Sequence, residues 1–255
     1  MPPHTVAMDR PAPILDVRRL GRRYGALDAV RELSFSVAPG EILGVVGPNG
    51  AGKTSTLRCL AGILQPSGGA IRICGRDLST EPVEAKRELA FLPDEPRLFE
   101  YLSVQEHLNF VARLYGVEDW EDKARGLLAE LELTGREHAR PPELSRGMKQ
   151  KLAIACGLLH SPRLLLLDEP LTGLDPLGIH RMKATLRART REGAALVLSS
   201  HLLPLVEELC DRILVIAQGR CVALGTLAEI RERLAEGQED SLEQLFVRIT
   251  SGVGA

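Results

Sequence analysis

The chain has 255 residues, 26% charged and 44% hydrophobic, with 34 acidic against 32 basic side chains and a net charge of -2. That is ordinary globular composition with enough length for one large domain or two modest ones, and it excludes a miniature disulfide scaffold. The balance leaves no general electrostatic footprint for nucleic acid, so no nucleic-acid partner is expected. Cys59, Cys74, Cys156, Cys210 and Cys221 are odd in number, widely spaced and free of any CxxC pair, as reduced thiols in a cytosol would be.

Residues 1–13 carry four prolines and no apolar core segment, which reads as a flexible N-terminal arm. Short apolar runs alternating with charge over 14–37 predict antiparallel strands, and Pro39-Gly40 then breaks the chain. The β-branched run 41–46 predicts a strand buried on both faces, followed by a glycine-rich turn and a helix over 54–61. After a turn cluster at 65–69, residues 70–74 read as a strand. Ser103 and Glu106 have capping-box spacing ahead of Val104, Leu108, Val111 and Tyr115 on one helical face. Further helices are expected over 119–132 and from Ser145 through Leu159. Residues 164–168 form an apolar strand ending in acid, 195–199 another strand beyond a helix, and 213–224 a hairpin around Gln218-Gly219. Residues 226–234 are amphipathic. The least polar stretch, 194–206, is interrupted by Ser199, Ser200, His201 and Pro204 and falls short of the ~18 residues of a membrane span. Alternating strands and helices predict an α/β fold with a mostly parallel sheet and an N-terminal antiparallel β subdomain.

The strongest motif is Gly47-Pro-Asn-Gly-Ala-Gly-Lys53-Thr54, a full phosphate-loop pattern between a predicted strand and a predicted helix. Glycines let backbone N–H groups converge on phosphates, and the helix N-terminus adds positive partial charge. Nucleotide contacts are expected from Gly47, Pro48, Asn49, Gly50, Ala51, Gly52, Lys53, Thr54 and Ser55. Lys53 would reach the β- and γ-phosphates and the Thr54 hydroxyl would ligate Mg²⁺. The strand 164–168 delivers Asp168 at its carboxyl end, where it can hold the Mg²⁺ shell. Glu169 follows, placed to polarise or deprotonate an attacking water, which points to hydrolysis rather than phosphoryl transfer to a second substrate.

Leu144-Ser-Arg-Gly-Met-Lys-Gln150 completes the pattern, and from about residue 14 to 224 the chain resembles the ATP-binding subunits of ABC transporters. Its signature differs in having Arg146 where a second glycine is commonest and Met148 before Lys149-Gln150. The resemblance implies a P-loop NTPase core over 14–230, with a helical signature subdomain over about 95–160, followed by a C-terminal helical tail over 231–255. It implies ATP and Mg²⁺ as ligands and a head-to-tail dimer, with a second copy or a related ATPase, in which Ser145 and Gly147 meet the γ-phosphate held by the opposite subunit. It further assigns Tyr24 to adenine stacking, Asp175 to the loop crossing the dimer interface, and His201 to the γ-phosphate. Asp94 stands where the family usually has Gln, and is expected as a catalytic and Mg²⁺-associated residue that adds negative charge beside the phosphates. Residues alone leave Ser145 and Asp175 equally readable as helix caps.

The subgroup most resembled serves separately encoded export permeases. Integral membrane permease subunits are therefore the expected partners, with the chain peripheral on the cytoplasmic face of the membrane. A soluble ATPase of the same family acting on ribosomes or DNA is the alternative, although the second cassette or long coiled coil usual there is missing. A module that holds ATP without hydrolysing it is a third reading, opposed by the intact Lys53, Asp168, Glu169 and His201.

Overall fold

The computed structural model describes residues 12–234. The arm expected over 1–13 lies almost wholly, and the tail expected over 231–255 mostly, outside the described residues. In chain order the first elements are β1 (Leu15–Tyr24), β2 (Leu27–Val37), β3 (Ile42–Val46), α1 (Lys53–Leu60), β4 (Gly68–Ile73), β5 (Arg76–Asp77), α2 (Pro82–Arg87) and β6 (Leu89–Leu92). Then follow α3 (Val104–Tyr115), α4 (Trp120–Glu130), α5 (Arg146–Leu158), β7 (Leu164–Asp168), α6 (Pro176–Arg191), β8 (Ala195–Ser199), α7 (Leu203–Leu209), β9 (Arg212–Ala217), β10 (Arg220–Gly225) and α8 (Leu227–Leu234).

The strands make two sheets, an antiparallel one in the order β2-β1-β4-β5 and a larger one in the order β10-β9-β3-β8-β7-β6. The larger sheet is parallel from β9 to β6, and only β10 runs against its neighbour. Every residue of β3, β7 and β8 is buried, as their unbroken apolar sequences predict. The pleat divides these strands between two cores. Ile42, Val46, Leu165, Leu167, Leu196 and Leu198 pack into the core shared with the helices of the signature region. Leu43, Val45, Leu164, Leu166, Ala195 and Val197 pack into the other, with α1 and the antiparallel sheet.

Helices α3, α4 and α5 all fall between β6, the edge strand, and β7. α3 begins at the predicted capping box: Glu106 N–H donates to Ser103 Oγ (3.2 Å) and Ser103 N–H donates to the Glu106 carboxylate (2.7 Å). His107, buried behind it, accepts from Phe99 N–H at Nε2 (3.0 Å) and bonds the Ser103 carbonyl through Nδ1 (2.7 Å), which ties the segment before the helix onto its first turn.

Several boundaries differ from expectation for identifiable reasons. β4 begins at Gly68, earlier than the expected 70, because Gly68 pairs with Gly21 across the sheet. α4 starts after Asp119, whose left-handed φ of 49° puts it outside the helix. α2, β6 and α7 were not anticipated. β6 has four residues, too few to show a period, and α7 carries Pro204 in its first turn, where the missing N–H has no intrahelical partner in any case. Among the described residues no helix is long and apolar enough to cross a membrane.

Candidate nucleotide site

The glycine-rich loop joins β3 to α1 at the carboxyl edge of the parallel sheet, the edge on which ligands of open α/β sheets sit. Its close packing explains its glycines. A Cβ on Gly52, at φ 106°, would lie 2.3 Å from the Ala29 carbonyl oxygen, and one on Gly47 would lie 2.3 Å from that of Ile216. The β9–β10 turn braces the loop as well: Gly219 N–H donates to the Ala51 carbonyl (3.0 Å) while Arg31 N–H donates to the Gly219 carbonyl (2.7 Å).

Lys53 folds back over this loop, its Nζ donating to the carbonyls of Gly47 (2.7 Å) and Pro48 (3.2 Å). Burial holds its ammonium below the usual lysine range, while Glu169 and Asp168 pull it back upward. The ammonium thus lies against the glycine-rich loop and within electrostatic reach of two carboxylates.

β8 lies between β3 and β7, so its last residue, Ser199, stands opposite both Val45 and Asp168. Ser199 Oγ donates to Asp168 Oδ1 (2.5 Å), and Thr54 Oγ1 reaches the same oxygen at 3.4 Å. Glu169 N–H is held by Ser199 too, through its carbonyl (3.1 Å) and hydroxyl (3.3 Å). Glu169 itself has φ 50°, in the left-handed region a glutamate seldom enters. Its Oε2 faces His201, 2.8 Å from Nδ1 and 3.3 Å from the backbone N–H. The histidine therefore engages the acid and leaves Nε2 without a hydrogen bond among the described residues.

Ser199 was not singled out from the sequence, although Leu-Ser-Ser directly before His201 is the signal that places it there. Ser199→Ala removes a hydrogen bond to a nearly buried carboxylate, and a loss of about 1.5–3 kcal/mol in unfolding free energy is expected by urea denaturation, together with reduced turnover. Unchanged stability and unchanged turnover would show that Asp168 needs no such support.

A cleft of about 510 Å³ opens over these groups, walled by residues 49–55, Tyr24, Asp94, Asp168, Glu169 and His201. Leu27, Ala29 and Thr172 also line it and were not anticipated. Gly47 and Pro48 sit behind the wall, where they receive Lys53. Tyr24 is 40% exposed, with its hydroxyl 3.4 Å from Ser55 Oγ. Ser145, Gly147 and Asp175 are not in the cleft. Ser145 caps α5, accepting from Met148 N–H (3.2 Å), and Asp175 caps α6, accepting from Gly178 N–H (2.7 Å).

The residues present fit a phosphate chain with a divalent cation. Asp168 is 5% exposed, has Oδ1 engaged by Ser199 and Thr54, and leaves Oδ2 without a hydrogen bond among the described residues. Glycine-rich loop, lysine, buried aspartate and adjoining glutamate together define a P-loop nucleotide-binding protein equipped for hydrolysis.

The model of the ABC transporter family matches residues 30–172, more than half of the chain. The ABC-type transporter ATP-binding protein EcsA of Bacillus subtilis (strain 168) is 34% identical over 240 residues, 93% of this chain and 96% of its own length. Nod factor export ATP-binding protein I of Burkholderia orbicola (strain AU 1054) is 39% identical over 218 residues, 84% of this chain and 71% of that protein. Linearmycin resistance ATP-binding protein LnrL of Bacillus subtilis (strain 168) is 34% identical over 236 residues, 92% of this chain and 75% of that protein. A solved ATP-binding subunit of an ABC transporter superposes with a TM-score of 0.88 at 36% identity, covering 92% of this chain and 99% of that one. The chain belongs to the ABC transporter family, as an ATP-binding subunit whose hydrolysis of ATP drives transport.

Proposed function

We propose that the chain is the cytoplasmic motor of an exporter, closing head to tail with a second copy or a related ATPase over two ATP and driving a separate membrane permease. The observation that carries this reading is a surface outside the cleft. Ser145 and Asp175 are exposed, and their segments adjoin, since a Cβ on Gly147 would lie 3.4 Å from the Gly173 carbonyl oxygen. Such a surface suits the γ-phosphate side of a nucleotide held by another subunit: Ser145 brings a hydroxyl and the positive end of α5, and Gly147 permits close approach. ATP shifts the pair toward closure only because it binds the closed form better than the open one.

Within each site the chain's own groups divide the work. Lys53 and the loop N–H groups bind the phosphates, Glu169 takes the proton of the attacking water, and His201 orients Glu169 through Nδ1. Mg²⁺ would be held by Thr54 and Asp168, with Asp94 as a further oxygen ligand, and when bound it neutralises phosphate charge. Asp94 lines the cleft, and Pro93, its neighbour in the chain, lines a groove of about 620 Å³ with Ile63, Phe99, Phe110, Leu114 and Tyr115. Phe99 (55%) and Leu114 (66%) are heavily exposed there, which supports the seating of an apolar permease segment. Export is supported by the relatives named for Nod factor export and linearmycin resistance.

Affinity capture of the chain from detergent-solubilised membranes tests the reading. A stoichiometric polytopic partner that changes ATP turnover is expected, and Leu114→Glu should release that partner while basal turnover stays unchanged. Recovery with ribosomes or nucleic acid alone would replace the permease by a soluble target.

A further inference from the structure

Tyr24 lines the nucleotide cleft, and a side chain two residues before it on β1, next to an irregularity in the pairing with β2, reaches its ring. That residue is Arg22. Its guanidinium carbon lies 4.5 Å from the centre of the Tyr24 ring, inside the range in which a cation is attracted by an aromatic face. Arg22 Nη1 donates to the Gln65 carbonyl (2.8 Å), just beyond the turn that ends α1, and Nε is buried without a hydrogen-bond partner among the described residues. One carbonyl and the ring face therefore replace much of the water this cation has lost.

Arg22 does not line the nucleotide cleft. It lines a separate depression of about 530 Å³ on the antiparallel sheet, so Tyr24 stands between Arg22 and the cleft. The ring is thus approached at two points, by the guanidinium against one face and by Ser55 Oγ near its hydroxyl, which leaves its other face for a base in the cleft that Tyr24 lines.

We infer that Arg22 is a positioning residue for the base of the nucleotide: by covering the outer face of Tyr24 it fixes the ring plane on which the base stacks. This rests on the reading of Tyr24 as the base-stacking residue. An unsupported, 40% exposed tyrosine would have to be immobilised when the base arrives, whereas here Arg22 orders it beforehand. Through Gln65 the same guanidinium ties the stacking ring to the end of the helix that carries the phosphate loop, so base and phosphate subsites keep one spacing.

Titration calorimetry on the full chain, with ATP and with inorganic tripolyphosphate, separates the possibilities because tripolyphosphate has no base. Arg22→Met should weaken ATP binding about 3- to 10-fold and raise KM with kcat unchanged, while tripolyphosphate affinity stays within about twofold. Tyr24→Ala should cost ATP binding about tenfold or more, and the double variant should bind no worse than Tyr24→Ala alone. If Tyr24→Ala weakens ATP binding and Arg22→Met does not, the inference fails and base stacking stands. If Tyr24→Ala changes nothing, the base-stacking reading fails with it. An equal loss for tripolyphosphate would assign Arg22 to the phosphates or the fold. Should Arg22→Met melt below assay temperature, Arg22→Lys carries the test, because an ammonium keeps the charge without the flat contact. A loss of about two- to threefold on ATP alone is then expected, and full ATP affinity overturns the inference.

Discussion

Replacing Glu169 by glutamine should lower ATP turnover about 10²- to 10⁴-fold, the usual contribution of a general base, while nucleotide affinity stays within a few-fold of the parent. The substitution keeps the shape of the side chain and removes only its capacity to take a proton. An amide oxygen can still accept from His201 N–H, which donates to Glu169 Oε2 at 3.3 Å, so the loop after β7 keeps its anchor. Ser199 holds the residue by its backbone N–H, a contact independent of the side chain. Binding without turnover should also leave the ATP-closed dimer accumulated, visible as a doubled mass by size exclusion with ATP present. Steady-state ATPase rates and calorimetric affinities decide the matter: undiminished turnover removes Glu169 from the role of base.

Lys53→Ala should act on the opposite side of the cycle, weakening nucleotide binding itself by at least about 2 kcal/mol, roughly 30-fold in Kd. The Lys53 ammonium already sits partly desolvated, bonded to the carbonyls of Gly47 and Pro48 and attracted by Glu169 and Asp168. Its removal leaves two carboxylates facing the incoming phosphates with no cation from the chain between them. The loop retains its other supports, the contacts of Gly47 and Gly52 with neighbouring carbonyls and the Gly219 to Ala51 bond, so the variant should stay folded by circular dichroism. Parental affinity in a folded Lys53→Ala protein would sink the phosphate assignment.

What could be read from the sequence follows from how locally each feature is encoded. The phosphate loop is one contiguous run, and β3, β7 and β8 are apolar at every position but the last acid or hydroxyl, so both their burial and their parallel pairing were legible. β6 was hidden by its four-residue length and α7 by a proline that reads as a break. The role of Ser199 depends on strand order, since only a β8 lying between β3 and β7 brings its hydroxyl to Asp168, and order across a sheet leaves no mark in a single strand. Ser145 and Asp175 show the limit in another form. Each reads as a cap and is one, and a cap that also serves a second subunit has the same sequence as one that does not. Arg22 and Tyr24 differ by two positions, yet their contact depends on how a bulged strand turns.

The left-handed backbone at Glu169 carries a further consequence. A side chain in that conformation gives up roughly 1–2 kcal/mol that glycine would keep. The acid assigned to draw a proton from water is therefore mounted where the chain would rather not bend, and endurance and reactivity make opposite demands on one residue. Every molecule carries that tension from the moment it folds. A lineage selected only for heat resistance would be drawn toward glycine at this point, gaining hardiness as its engine fell silent.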